Sequence, residues 1–308
     1  MCYSANVLQS LNDYLREQGA RPDYAQIEGV FRQRVADRNV RIPRGFERNF
    51  DDPVNAEQQR IRLLIDQHRQ AQITRFEQEA FAQKRRLADA QRRLQVKETK
   101  SARNEQRIAT GKIDGALQKL SLLKGTQPHP EDARIFPLTH GPIIVRENGC
   151  NIVRLARYHL RQRGAAASVD RQFPGLYNAR RDNLEKFWRN EFGRTHALMV
   201  VDSFFENVER EGRNVVLHFI PRPAQRMLVA CMFGEWRDPR GDTLLSFAAI
   251  TDEPPAEVRA AGHDRVIVNL QLDNVERWLT PNARPKHELQ DILSERQAPY
   301  YEHRVEAA

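Results

Sequence analysis

Cysteine is scarce in this chain, with three among 308 residues, at positions 2, 150 and 231. Cys2, Cys150 and Cys231 are too few and too scattered for a disulfide framework or a cysteine-rich zinc site, and they fit a reducing compartment. Long apolar runs are missing as well. None approaches the roughly 18 residues needed to span a bilayer, so no membrane partner is expected. The first thirty residues are too polar and acidic for a secretory signal, which leaves the expectation of a soluble, cytoplasmic protein. There is no G-x-G-x-x-G, no Walker A loop and no H-E-x-x-H, and nothing in the sequence calls for a metal or organic cofactor. Proline is missing from 55–124, between Pro53 and Pro128.

That proline-free stretch is rich in Arg, Lys, Gln, Ala and Glu. Ile61, Ile65, Ile73, Phe76, Ala80, Leu87 and Leu94 recur at helical intervals, which predicts one long amphipathic helix. Ile108, Ile113, Leu117 and Leu120 mark a second, and the polar "KETKSARNEQ" between them reads as the turn. The pattern is that of an antiparallel helical hairpin or coiled-coil arm. Residues 55–124 hold 16 Lys or Arg against 8 Asp or Glu, a net of +8. The whole chain also carries +8, so everything outside the arm sums to zero. A solvated helix face accounts for such a run without function. A nucleic-acid clamp or an arm for a protein partner accounts for it with one.

The flanks read differently. Residues 1–54 suggest short helices at "VLQSLNDYLREQG" and "YAQIEGVFRQRVADRN", then irregular "VRIPRGFERNFDDP". After Pro130, "GPIIVRENGCNIVRLARYHL" alternates like two strands joined at the turn-prone "ENG". "HALMVVDSFFENV", "NVVLHFIPR", "RMLVACMFGEW", "DTLLSFAAIT" and "RVIVNLQL" continue the strand series. "NVERWL" and "HELQDILSE" read as helices. The fold class expected is α+β: a curved or barrel-like, mainly antiparallel β core with peripheral helices. The core would comprise 1–54 and 125–308, split by the helical insertion 55–124.

Four places carry chemistry. Removal of Met1 would leave Cys2 with a free α-amine and a thiol on adjacent carbons. Such a 1,2-aminothiol condenses with an aldehyde and then closes a five-membered thiazolidine. An α-amine pKa of roughly 7.7–8.0 and a thiol pKa of about 8.5 leave both nucleophiles partly available near neutrality. In "GLYNARRDNLEKFW", Asn178 and Arg180 sit in a turn-like context ahead of a helical pattern, as a capping Asn and a surface Arg would. Glu206 follows an apolar strand in "VVDSFFENV", where a desolvated carboxyl can serve as general acid or base and a strand-end salt bridge is the plainer alternative. His263, in "AGHDRVIV", precedes a strand. Lone histidines there are commonly structural.

Taken in order, these segments resemble the SOS-response-associated peptidase (SRAP) family of abasic-site processing proteins. The family's Met-Cys-Gly-Arg start is similar to Met-Cys-Tyr-Ser here, and its Asn-Ala-Arg-Ser-Glu motif to "NARRD" at 178–182. Its Gly-Phe-Tyr-Glu-Trp segment resembles "SFFEN", placing the family's acid on Glu206. "HDRVI" resembles its His-x-Arg-Met-Pro motif, placing the family's histidine on His263. "MFGEWRDPRG", "FAAIT", "IFPLTHGPIIV" and "ARYHL" match further family segments. The resemblance is loose over residues 1–46 and good over 131–305, with the arm as an insertion.

The resemblance implies covalent attachment to abasic sites in single-stranded DNA. The Cys2 amine would attack the ring-opened sugar aldehyde and the thiol would close the ring. Asn178 would position the N-terminal residue and the sugar, Glu206 would shuttle protons, and His263 would assist ring opening and release. Arg180 would hold a phosphate, and Arg157, Tyr158 and Trp236 would supply further phosphate or stacking contacts. The family name adds a peptidase activity, self-removal of N-terminal residues. It also implies that the protein associates with the nucleoid when bound to DNA. Departures are visible: Tyr3 and Ser4 replace Gly and a DNA-contacting Arg, Asp182 replaces Glu, Asn207 replaces Trp, Tyr158 and His159 replace Trp-Gly, and His140 replaces Gln. Two alternatives stand beside this reading. One is an N-terminal-cysteine peptidase or amidase acting on a substrate other than DNA. The other is a noncatalytic DNA- or partner-binding module that uses the arm.

Overall fold

The computed structural model describes residues 3–238 and 241–306, with Pro130 described by its backbone alone. The chain opens with strand β1 (Ser4–Val7), helix α1 (Leu11–Gln18), the short β2 (Arg21–Pro22), helix α2 (Tyr24–Ala36) and one turn, α3 (Arg44–Glu47). The long helices α4 (Ala56–Val96) and α5 (Lys100–Lys124) follow. Strands β3 (Arg134–Ile135), β4 (His140–Glu147) and β5 (Cys150–Tyr158) lead through α6 (Val169–Gln172) to β6 (Asn178–Arg180). Four long strands come next: β7 (His196–Arg210), β8 (Arg213–Arg222), β9 (Met227–Arg237) and β10 (Thr243–Asp252). The chain ends with α7 (Ala256–Ala260), β11 (Val266–Ile267), α8 (Val275–Leu279), α9 (Lys286–Ser294) and β12 (Tyr300–Val305).

Five strands close a barrel in the order β5–β4–β7–β9–β10 and back to β5. All neighbours are antiparallel except β10 and β5, which run parallel with Ser246 opposite Arg157. Both faces of these strands are buried, so they read as continuous apolar runs rather than clean alternations. One set of alternate residues, among them Ile143, Met199, Val229, Cys231 and Phe247, forms a cluster built almost wholly of strand residues. The other set, including Ile144, Leu198, Ala230 and Ile250, packs with helix residues such as Phe31, Trp278 and Leu289. The first cluster is therefore the barrel interior and the second the layer beneath the helices.

Strand β7 is too long for the barrel alone. Its first half pairs with β9, and its second half leaves the ring to pair with β8 on one edge and β1 on the other. This bifurcation positions the candidate site.

The helical hairpin is stitched by small residues. On α4, Phe76, Ala80, Leu87, Ala90 and Leu94 fall at steps of 4, 7, 3 and 4 residues, on one face of the helix as in a coiled-coil seam. Ala102, Ala109, Ile113, Ala116 and Leu120 of α5 are buried too. At its root, Ile61 and Ile65 join the main core with Phe31, Phe46 and Phe50. Arg44 donates from its guanidinium to the Leu122 and Gly125 carbonyls, which closes the end of α5.

Several sequence expectations need correction. The turn between the helices is Lys97–Thr99 only, because the Thr99 hydroxyl accepts the Ala102 N–H and starts α5 at Lys100. Residues 184–192 wind as irregular turns, with the N–H groups of Lys186, Phe187 and Trp188 all directed to the Asn183 carbonyl, instead of forming a helix. In "RVIVNLQL" only Val266 and Ile267 lie in a strand.

Candidate active site

Glu206 lies within β7, not at the end of a strand. Phe204, Glu206 and Val208 are alternate residues of that strand and so share a face. Phe204 and Val208 belong to the inner core, and Glu206 is 0% exposed. Burial raises its carboxyl well above the usual carboxylate range. Helix α7 and the loop that follows it are laid over this face, with Val258 of the helix and Ala261 of the loop joining the same core. Gly262, at φ +99°, makes the turn that a side chain would resist.

That turn delivers His263, whose Nε2 lies 3.2 Å from Glu206 Oε2. Its Nδ1 is 2.9 Å from the Arg265 carbonyl, an oxygen that can only accept, while the Arg265 N–H approaches the same nitrogen at 3.3 Å. The shorter contact favours a proton on Nδ1, which leaves Nε2 to share a proton with Glu206. Burial lowers the His263 pKa, so both members are pushed toward their neutral forms. A neutral carboxyl facing a bare imidazole nitrogen can give up a proton and take one back at little cost.

A third group meets this pair. Strand β1 runs antiparallel to β7 with Ser4 opposite Phe205, so the residue before Ser4 arrives beside Glu206. The Tyr3 N–H lies 3.1 Å from the Phe205 carbonyl and 3.2 Å from Glu206 Oε2. Cys2 itself lies outside the described residues.

Asn178 and Arg180 stand on β6, a strand and not a turn, which pairs in parallel with Ala249–Thr251 of β10. Asn178 is buried and its Oδ1 accepts from the Tyr158 hydroxyl at 3.3 Å. Two residues along, Arg180 is exposed and pairs with Asp182 at 2.7 Å. Asp182, with smaller contributions from Asp264 and Glu253, holds its guanidinium more firmly charged. Asp264 adjoins His263, so β6 and the His263 loop face a common region.

The other three expected contact residues fare differently. Tyr158 is 0% exposed and lies in the barrel interior, stacked on Phe247 at 5.1 Å, where it supports Asn178. Arg157 is engaged by Asp170 at 2.8 and 3.1 Å. Arg161 binds the same carboxylate, and although burial opposes ionisation, the hydrogen bonds from the two arginines hold Asp170 below its ordinary pKa. The Trp236 indole N–H donates to the Ala165 carbonyl at 2.7 Å, with Arg161 over its ring at 4.3 Å. Arg157 and Trp236 thus fasten the segment that carries α6.

One residue at this site escaped the sequence reading. Arg134, on β3 and paired through β1, donates to Ser4 Oγ at 2.9 Å and lies 3.6 Å over the Phe205 ring. It brings a cation to position 4, where the sequence has a serine. Nothing in "DARIF" signals this, because it depends on the β1–β3 pairing.

The sequence matches the family model described as "SOS response associated peptidase (SRAP)" over residues 91–308. No curated protein matches the chain. Among solved structures, a protein from Bacteroides thetaiotaomicron is 16% identical at a TM-score of 0.49, covering 56% of this chain and 77% of that one. A protein from Bordetella bronchiseptica is 20% identical at a TM-score of 0.49, covering 59% and 90%. A phage-related protein from the same organism is 17% identical at 0.44, covering 57% and 82%.

Proposed function

Because the chain belongs to the SOS response associated peptidase family, we propose that it captures abasic sites in single-stranded DNA through a covalent bond to Cys2. The observation that carries this reading is the buried Glu206–His263 pair, 3.2 Å apart, with the Tyr3 N–H on the same carboxyl oxygen. Tyr3 N is the atom to which the Cys2 carbonyl carbon is bonded, so the acid–base pair serves the end of the chain that bears the nucleophile.

The chemistry follows from the groups. Removal of Met1, the self-processing that the family name suggests, frees the Cys2 amine. That amine adds to the aldehyde carbon of the ring-opened sugar and gives a carbinolamine. Glu206 donates a proton to the departing hydroxyl, water leaves and a protonated imine, which keeps its N–H, forms. The Cys2 thiol loses its proton to the pair and adds to the imine carbon, closing a thiazolidine. One water is lost overall and no oxidant is needed. A carboxyl kept neutral by burial is the right donor for the dehydration, and His263 holds the second proton position.

Recognition of a site without a base must rely on phosphates and neighbouring nucleotides. Arg180 is the exposed cation nearest Asn178. Arg134 offers a guanidinium beside Ser4, in place of the arginine that the family carries there. Asn178, braced by Tyr158, would orient the sugar.

The test is incubation of the purified chain with a single-stranded oligonucleotide carrying one abasic site, with Cys2→Ala alongside. The expected result is an adduct that survives denaturing electrophoresis, has the mass of the chain without Met1, and is missing in Cys2→Ala. Absence of an adduct when mass spectrometry shows Met1 removed would overturn the proposal.

A further inference from the structure

We infer that the far half of the α4–α5 hairpin is a second nucleic-acid contact, one that grips the phosphate backbone of a double helix at a distance from Glu206 and His263. It stands whether or not Cys2 forms an adduct.

The first observation is where the charge lies. Residues 84–107 hold nine Lys or Arg against three Asp or Glu, a net of +6. The rest of the 55–124 segment holds seven against five, a net of only +2. Near the root the cations are committed to the body: Arg60 to Glu28 at 2.8 Å, Arg62 to Asp51, and Arg69 to Glu47 at 3.6 Å. At the far end Lys84, Arg85, Lys97, Lys100 and Arg107 are exposed, and among the described residues none has a carboxylate partner. Folding commits the root cations to the body, while at the tip only Arg86, Arg92, Arg93 and Arg103 are paired, with Glu105, Asp89 and Glu98 of the hairpin itself.

The second observation is reach and stiffness. Past Arg69 the helix α4 continues for 27 residues to Val96, about 40 Å at 1.5 Å per residue. The root is held in the main core by Ile61 and Ile65, so the tip is carried on a fixed lever. The last 13 residues of α4, from Lys84, span about 20 Å. A B-form duplex carries one charge per about 1.7 Å of axis, so such a length faces on the order of ten phosphates.

The third observation selects the partner. Sites for single strands combine a basic groove with aromatic platforms for the bases. Residues 84–107 contain no Phe, Tyr or Trp. The two helices bury Ala90, Ala102 and Ala109, and the concavity at the tip, lined by Asp89, Arg92, Arg93, Val96, Lys97 and Thr99, holds no ring on which a base could stack. A protein partner would call for an apolar centre to the patch, and Val96 is the one large exposed apolar residue in this stretch. A cationic rod without stacking rings or apolar anchors suits a surface of regular charge, which is the backbone of a duplex.

The experiment compares the full chain with a Lys84→Gln/Arg85→Gln/Lys100→Gln/Arg107→Gln variant, chosen because glutamine preserves helix propensity. Circular dichroism checks that helicity is retained. Binding to a fluorescein-labelled duplex without a lesion is followed by anisotropy between about 50 and 200 mM salt. The expected result is a weakening of at least about tenfold at low salt and a fall of about 3 to 4 in the slope of log K against log salt, near 0.9 per lost contact. Binding to a single strand of equal length should change less. An unchanged slope, an equal loss on the single strand, or displacement by polyaspartate at lower charge concentration than by duplex would overturn it. The last would indicate an acidic protein instead. The single-strand adduct assay on the same variant separates this proposal from the Cys2 reading. An adduct formed normally by the variant with duplex binding lost supports both, whereas no adduct from the unaltered chain, with its salt-sensitive duplex binding present and weakened in the variant, refutes the Cys2 reading alone.

Discussion

The barrel and the hairpin use the same kinds of side chain in opposite ways. In the barrel half, Glu206, His140 and His196 are almost fully buried, and burial drives each toward its neutral form. In the hairpin, Glu105 joins Arg86 and Arg93 on an outer surface, where hydrogen bonds from Arg93 and Arg86 hold its carboxyl below the usual range. Solvation decides the difference. A carboxyl out of water becomes a proton donor that can do chemistry, while a guanidinium in water becomes part of a field that attracts polyanions. The contrast extends to packing. The barrel is filled by large rings and branched residues, whereas the hairpin seam is mostly alanine with a single ring, Phe76.

The largest test of this division is Glu206→Gln. Glutamine preserves the shape but cannot give up a proton. Adduct formation with abasic DNA should slow by about 100-fold or more, the usual scale of acid–base catalysis. Glu105→Gln, made in the hairpin, should leave that rate unchanged. Equal rates for the two variants would break the comparison.

Packing gives the next effect. Phe247 is wholly buried in the barrel against Tyr158. Phe247→Ala should lower stability by about 3–5 kcal/mol and shift the whole unfolding transition. Phe76 is buried between two helices only, beneath Arg75 and Lys119. Phe76→Ala should cost less, and hydrogen exchange should show the opening confined to α4 and α5. A global loss of the same size from both would show the hairpin and barrel to be one cooperative unit.

The remaining contrast is the pH dependence. His196 Nδ1 donates to the Trp278 carbonyl at 3.0 Å and its Nε2 accepts the Gly193 N–H at 2.9 Å, so the neutral ring is fully used. Burial lowers its pKa to about 3, against about 6.5 when unfolded. A depressed pKa means the unfolded chain takes the proton first. The stability is therefore present above about pH 6.5 and is lost as pH falls toward 3. The melting temperature should drop between pH 7 and pH 4, and His196→Gln should flatten that drop. Parallel curves for the two chains would assign the acid sensitivity elsewhere, with His140, lowered by burial to about 4, next in line.

Much of the fold was legible where the signal is local. "ENG" marks the β4–β5 turn, and Asn148 and Gly149 do adopt the positive φ values, 49° and 78°, of the tight hairpin turn. The apolar spacing of α4 belongs to the same class of signal. Apart from the Thr99 cap and the turns at 184–192, what was missed is non-local. "SANV" is too short to read as a strand, yet β1 joins β3 to β7 and brings Tyr3 to Glu206. The three residues of β6 are a strand only because β10 supplies the partner.

The sequence by itself determined the hairpin: its periodicity and the cluster of cations at its far end are written within one or two helical turns, although the Thr99 cap that starts α5 was not read from it. It also marked Glu206 and His263 as candidates from their places beside apolar strands, with structural alternatives open, and the resemblance then gave them roles. Only the tertiary structure decided that these two residues, 57 positions apart in the chain, stand in contact, that Tyr158 faces the barrel interior, and that Arg134 reaches Ser4. The physical reason is that helical periodicity and capping are properties of neighbouring residues, whereas desolvation and strand pairing arise only when distant segments close around one another.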